Sequence, residues 1–171
     1  MKVLAIPLPP ESRVVDRYPR TDLADAFAVD LPEGTISDPE ALARFVLAQQ
    51  PGWVAALMKL RDLLVAGFGL KTAAQLQAAT GAGTRRIHIF RIYETHAREI
   101  VLGEDDRHLD FRLSLLYRPQ AGSRAAQLVL STVVHCHNRL GRNYLRLIAP
   151  FHRQVVQASL RRAARLGWPR L

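Results

Sequence analysis

The sequence predicts an α+β domain in which a twisted antiparallel sheet is closed by one long carboxy-terminal helix. Three observations carry that prediction. From Arg86 to about Arg118 the chain alternates with a period of two, the repeat of a strand with two unlike faces. Gln127 to His137 is then dominated by β-branched and aliphatic residues, with Thr132, Val133 and Val134 at its centre, as a half-buried pleated backbone favours. Beyond Asn138 the period changes. Leu140, Tyr144, Leu147, Ile148, Phe151, Val155 and Leu160 recur at three- and four-residue steps, and Arg139, Arg142, Arg146, Arg153, Arg161, Arg162 and Arg165 fall largely between them, which describes an amphipathic helix. Run unbroken to Leu166, that helix spans roughly 40 Å. Pro150 predicts a kink, because its ring removes a hydrogen bond and disfavours helical geometry at Ala149; two helices with Pro150 in the first turn of the second is the alternative.

The 171 residues, 49% hydrophobic, fit one domain with a sizeable core. A single cysteine, Cys136, excludes an intrachain disulfide and a cysteine-based zinc site, so a reducing, cytoplasmic setting is expected. MKVLAIPLPPESR lacks the apolar stretch of a secretion signal, and no apolar run reaches the ~18 residues of a membrane span. Charge is unevenly placed. All fifteen acids lie at or before Asp110, so residues 111–171 hold 11 arginines and no acid against a whole-chain net charge of +9. Such a field attracts nucleic acid, anionic lipid, an acidic partner or an anionic small molecule. With 21 of 24 basic residues being arginine, a compositional bias and a solvated face explain it too.

In chain order, residues 1–20 are proline-rich and predict an irregular arm over the surface, leaving 21–168 as the domain. ADAFAVDL from Ala24 predicts the first strand. Ser37 and Glu40 have capping-box spacing, and Asp38 or Pro39 also suits the start of a helix carrying Leu42, Phe45 and Val46. Pro51 and Gly52 end it, and a second short helix is expected from Trp53 to about Val65. Residues 67–86 combine loop-like and short helical patterns. RIHIFRIYE, REIVLGE and HLDFRLSLLYR then predict successive antiparallel strands, and QAGS the hairpin turn into the last. One strand, two short helices, a meander and a long helix bury all these stripes only if the helix covers the concave face of the sheet. That is the helix-grip layout of START-like and Bet v 1-like proteins.

GEDDRHLDFRLSL from Gly103 and STVVHCHNRLGRNYLRLIAPFH from Ser131, with the PGWVAALMKLRDLL helix, also resemble the bacterial domain-of-unknown-function 2867 family over residues 20–166. The resemblance implies a helix-grip-like fold, found alone or behind a Rossmann-type NAD(P)-binding domain of the NmrA-like kind, and so a possible NAD(P)-binding protein as partner. GAGT precedes a strand and lacks the third glycine of a dinucleotide fingerprint. No cofactor is expected.

Candidate residues follow from position. Asn138, at a strand-to-helix junction, suits an N-cap and is also a candidate ligand-binding residue; Gly141 in the first turn suits close approach to a backbone or a ligand. Arg142, turned inward, would clamp a carboxylate or phosphate beside Tyr144; exposed, it would be solvated or paired with Asp110. His108, Asp110 and Arg112 at two-residue spacing suit a polar cavity wall, with His108 and Asp110 as a candidate catalytic pair and Arg112 orienting an anion; a solvent-facing surface is the alternative. His135, His137 and His152 would hold a metal only if they converge, and none is expected. His152 is read as a hydrogen-bonded residue beside Pro150, available to a ligand, and Cys136 as a core residue. The expected function is binding of a small organic ligand, hydrophobic or anionic, between sheet and helix. The alternatives are a cyclase-, isomerase- or hydrolase-like enzyme using His108 and Asp110, and an adaptor whose basic helix docks on a protein partner, an anionic membrane or RNA. RNA ranks below a protein partner because interleaved aromatics are missing.

Overall fold

A computed structural model of the protein describes residues 2–48, 52–53 and 85–170. Its elements are β1 (Val3–Ile6), β2 (Leu23–Asp30), α1 (Pro39–Ala48), β3 (Arg86–Ile87), β4 (Phe90–Thr95), β5 (Glu99–Asp105), β6 (Leu109–Arg118), β7 (Gln127–Cys136) and α2 (Arg139–Leu166). The strands form one antiparallel sheet in the order β1-β2-β7-β6-β5-β4-β3. Sheet and helix together make the helix-grip fold. The second short helix expected beyond Trp53, and the 67–84 stretch, lie outside the described residues.

Two expectations along the strands are corrected. Val3–Ile6 is an edge strand paired with β2 rather than irregular arm; the chain leaves the sheet only at Pro7, which has no N–H to continue the ladder. RIHIFRIYE is not one strand. His88 takes a left-handed φ of 54° and folds β3 back on β4 as a tight hairpin. The QAGS turn forms as expected, closed by hydrogen bonds between Ala121 and Arg124.

Period two puts alternate residues on opposite sides, and both sides are covered. On one, Phe27, Val29, Ile100, Leu102, Leu113, Leu115, Leu128 and Leu130 pack against Leu42 and Val46 of α1 and Val156, Leu160 and Ala163 of α2. Asp38 caps α1, accepting from the Glu40 and Ala41 N–H groups at 3.2 and 3.1 Å, with Pro39 in the first turn; the cap is thus Asp38 and not Ser37. Burying Leu42 or Leu160 completely contributes about 2 kcal/mol each. On the other side, Val101 and Val133 pack on Val14, and Ala26, Ala28, Leu116 and Val129 on Ile6 and Leu8. The arm after β1 is fixed there by Glu99, whose Oε1 accepts from the hydroxyls of Ser12 and Ser114 at 2.7 and 2.5 Å, and whose two oxygens accept from the Arg13 N–H at 3.0 and 3.1 Å.

Helix α2 runs as one element through Pro150, so the two-helix alternative is not adopted. Leu145, Val156, Ser159, Leu160 and Ala163 face the sheet and α1. Leu147 and Phe151, expected in the inward stripe, are instead 56% and 48% exposed, because they lie more than a quarter turn from the line through Leu145 and Val156. No helix of the described residues is long and apolar enough to cross a membrane.

Candidate functional site

The polar atoms most at odds with their surroundings lie between the sheet and α2. Asp25 is in phase with Leu23, Phe27 and Val29, so its side chain points to the helices and is 10% exposed. Strand register sets Asp25 beside Thr132, and continues the row across the sheet through Leu113, Leu102 and Ile92. From above, His152 Nε2 comes within 3.1 Å of Thr132 Oγ1 and 3.5 Å of Asp25 Oδ1, and Arg153 Nε within 3.4 Å of Asp25 Oδ2. Asp25 Oδ1 is buried without a hydrogen bond among the described residues. The adjoining apolar surface is not fully closed, for Phe90, Ile92, Phe111, Tyr144 and Ile148 are each only partly buried. His152 thus stands in a site, with Thr132 and Asp25 as partners the sequence reading did not single out. Asp25 was legible: a carboxylate on the apolar phase of ADAFAVDL is the signal.

On the same side, at the β3 end, Arg86 and Glu104 form a buried ion pair at 2.9 Å, their side chains 10% and 11% exposed. Arg86 also donates to the Ile89 carbonyl at 2.7 Å, and its Nε is a buried donor without a partner among the described residues.

His108 and Asp110 are not brought together as a pair. His108 lies in the turn before β6, out of the strand repeat. Asn138 is the N-cap of α2, its Oδ1 accepting from the Gly141 N–H at 2.9 Å. That bond fixes the amide orientation, so Nδ2 donates to His108 Nδ1 at 2.9 Å, while His108 Nε2 is buried with no hydrogen bond among the described residues. The Nδ1 lone pair is thus taken up by the helix cap rather than by Asp110. Asp110 pairs with His137 Nε2 at 3.0 Å and not with Arg142. Gly141 is explained: a Cβ there would strike the His108 carbonyl oxygen. Tyr144 is half-buried against Leu23, Leu109, Val134, Cys136 and Leu145. His135 and His152 lie on opposite sides of the sheet, so the three histidines do not converge. Cys136 is buried, and burial with the nearby Asp22 pushes its thiol up to about 11.

Arg112 is neither a cavity wall nor solvated. On the arm side its guanidinium lies 3.6 Å from the Tyr93 ring centroid and 6.0 Å from that of Tyr18, and bonds Asp105 Oδ1 at 2.7 Å. Tyr93 donates to Asp105 Oδ2 at 2.9 Å. Burial would raise the Asp105 carboxyl, but the bonds from Arg112 and Tyr93 outweigh it and hold it below the usual range. Burial pushes Tyr18 up to about 12, and burial with the bond to Asp105 pushes Tyr93 up to about 12. A phenol whose folded value is raised stabilises the fold fully below its unfolded value near 10 and loses that contribution as pH climbs through 12. Stability is therefore expected to fall between about pH 10 and 12, and to fall less steeply in Tyr93→Phe; urea unfolding midpoints across that range, alongside absorbance titration of the phenols, check it.

Arg142 is half-buried, its charge reaching the Cys136 thiol, and with Arg139, Asn143 and Arg146 it lines a shallow groove of about 250 Å³. None of the three arginines has a carboxylate partner among the described residues.

A family described as "Protein of unknown function (DUF2867)" matches residues 17–159. The chain belongs to the DUF2867 family. No curated protein matches it. The match spans β2 through most of α2, so the Asp25–Thr132–His152 cluster and the Asn138 cap both lie within the DUF2867 region, whereas β1 and residues 7–16 of the arm lie outside it.

Proposed function

We propose that this DUF2867 domain binds a small, largely hydrophobic molecule between the sheet and α2, and that the ligand carries a hydroxyl or amine that donates to Asp25. The single observation behind this reading is Asp25 Oδ1, a buried acceptor beside an apolar row that has no hydrogen bond among the described residues, its nearest donor being His152 Nε2 at 3.5 Å. A buried acceptor of this kind is costly unless a donor arrives. The partly exposed rings of Phe90 and Phe111, packed edge to face at 5.9 Å, supply the apolar contact, and His152 and Thr132 offer a further donor and acceptor. An anionic ligand, suggested by the arginine excess, fits this seam poorly because it would meet the Asp25 carboxylate, and the cation nearest that carboxylate, Arg153, is already paired with it. The cytoplasm is the proposed setting, in keeping with the buried free thiol of Cys136.

Tryptamine and indole-3-propionate share one ring system and differ in the sign of their charge, which makes them suitable probes. Tryptamine is expected to raise the melting temperature and indole-3-propionate not to. Asp25→Asn should lower the tryptamine affinity roughly tenfold or more while the fold is kept. Equal responses to both probes, or an Asp25→Asn protein that binds tryptamine unchanged, would count against the assignment.

A further inference from the structure

The outward face of α2 is unusual on two independent grounds. The first is charge. Arg139, Arg142 and Arg146 line one groove together; like other arginines such as Arg107 and Arg124 they hold no carboxylate among the described residues, and what sets them apart is that three of them converge on one spot. They occupy the first turns of a 28-residue helix, where the backbone dipole adds to their positive field, and no acid follows Asp110 anywhere in the sequence. The second ground is apolar exposure. Leu147 and Phe151 are more than 45% exposed, and they continue the i, i+4 ridge that begins at Arg139 and Asn143. Arg142, Arg146 and the exposed Pro150 form the neighbouring ridge. A basic groove thus passes, within one turn, into two large apolar side chains presented to solvent.

We propose that this face docks on an anionic lipid surface, the arginines of the groove taking phosphodiester headgroups and Leu147 and Phe151 entering the acyl boundary. Charge complementarity selects a polyanion. The apolar pair beside it selects a lipid over a nucleic acid, whose stacking contacts would need aromatics interleaved with the arginines. Docking of this kind would leave the seam around Asp25 on the opposite side of α2.

Co-sedimentation with vesicles tests it. The full-length protein is expected to bind phosphatidylcholine vesicles only when they contain phosphatidylglycerol, and to be released by salt. The double variant Arg142→Glu/Arg146→Glu should lose roughly tenfold or more in partitioning, and Leu147→Ser/Phe151→Ser a similar factor. Arg107→Glu/Arg124→Glu, which lowers net charge equally at exposed positions elsewhere, should bind nearly as the wild type does. Circular dichroism of each variant shows that the fold is retained. Absence of binding to phosphatidylglycerol vesicles at low salt overturns the proposal. So does unchanged vesicle binding by the Leu147→Ser/Phe151→Ser protein, which would make the face a general polyanion surface, or an equal loss in Arg107→Glu/Arg124→Glu, which would make net charge alone responsible.

Discussion

Replacing Glu99 with alanine is expected to cost about 3 kcal/mol of stability and to open the amino-terminal arm to proteolysis. The side chain is 4% exposed and receives the Ser12 and Ser114 hydroxyls and the Arg13 N–H. Removing it leaves those donors buried or half-buried beside a void, and each unsatisfied donor carries a desolvation cost of its own. The same carboxyl joins the arm to β5 and β6, so its loss should also free Val14 and Tyr18 from the sheet. Urea unfolding measures the first effect, and trypsin cleavage after Arg13, Arg17 or Arg20 the second. Glu99→Gln keeps the shape and should lose roughly half as much. A loss below about 1 kcal/mol with unchanged proteolysis would mean that apolar contacts alone hold the arm.

The second large effect reverses an ordinary preference. Alanine is favoured over glycine inside a helix by about 1 kcal/mol, yet Gly141→Ala is expected to destabilise the protein by about 2 kcal/mol or more. The Cβ would meet the His108 carbonyl, which already accepts the His137 N–H at 2.9 Å. Relief requires α2 to lift at its amino terminus, stretching the Asn138 cap. Thermal unfolding of Gly141→Ala, beside an exposed control such as Gln154→Ala, separates packing from propensity: the control should change stability little, and Gly141→Ala should lower it.

Much of this molecule could be read from periodicity, because a buried face imposes its repeat on the chain. Period two located the strands from β4 to β6, a run of β-branched and aliphatic residues located β7, and the switch to three-and-four spacing after Asn138 located α2 and its cap. The alternation of HLDFRLSLLYR put Leu113 and Leu115 on one side and Arg112 and Ser114 on the other, as the structure has it. What covers a polar face is a different matter. Arg112 and Ser114 are buried by an arm roughly a hundred residues away in sequence, and no local pattern announces such a contact. The same holds at the site. His108 and Asp110 stand two residues apart, yet one belongs to a turn and the other to a strand, and each finds its partner in the segment after β7. Asp25, Thr132 and His152 come together only through antiparallel register and the placement of α2 over it. Even so, Asp25 shares its phase with Phe27 and Val29, so the misplaced charge itself was visible.

That charge is the centre of the functional reading, and hydrogen exchange of backbone amides with and without saturating tryptamine tests it most directly. Added protection is expected in β2 around Asp25, in β7 around Thr132 and along α2 near His152, and should vanish in Asp25→Asn. Protection confined to the arm side of the sheet, around Glu99 and Arg112, or a pattern identical in Asp25→Asn, would contradict a ligand seat between the sheet and α2.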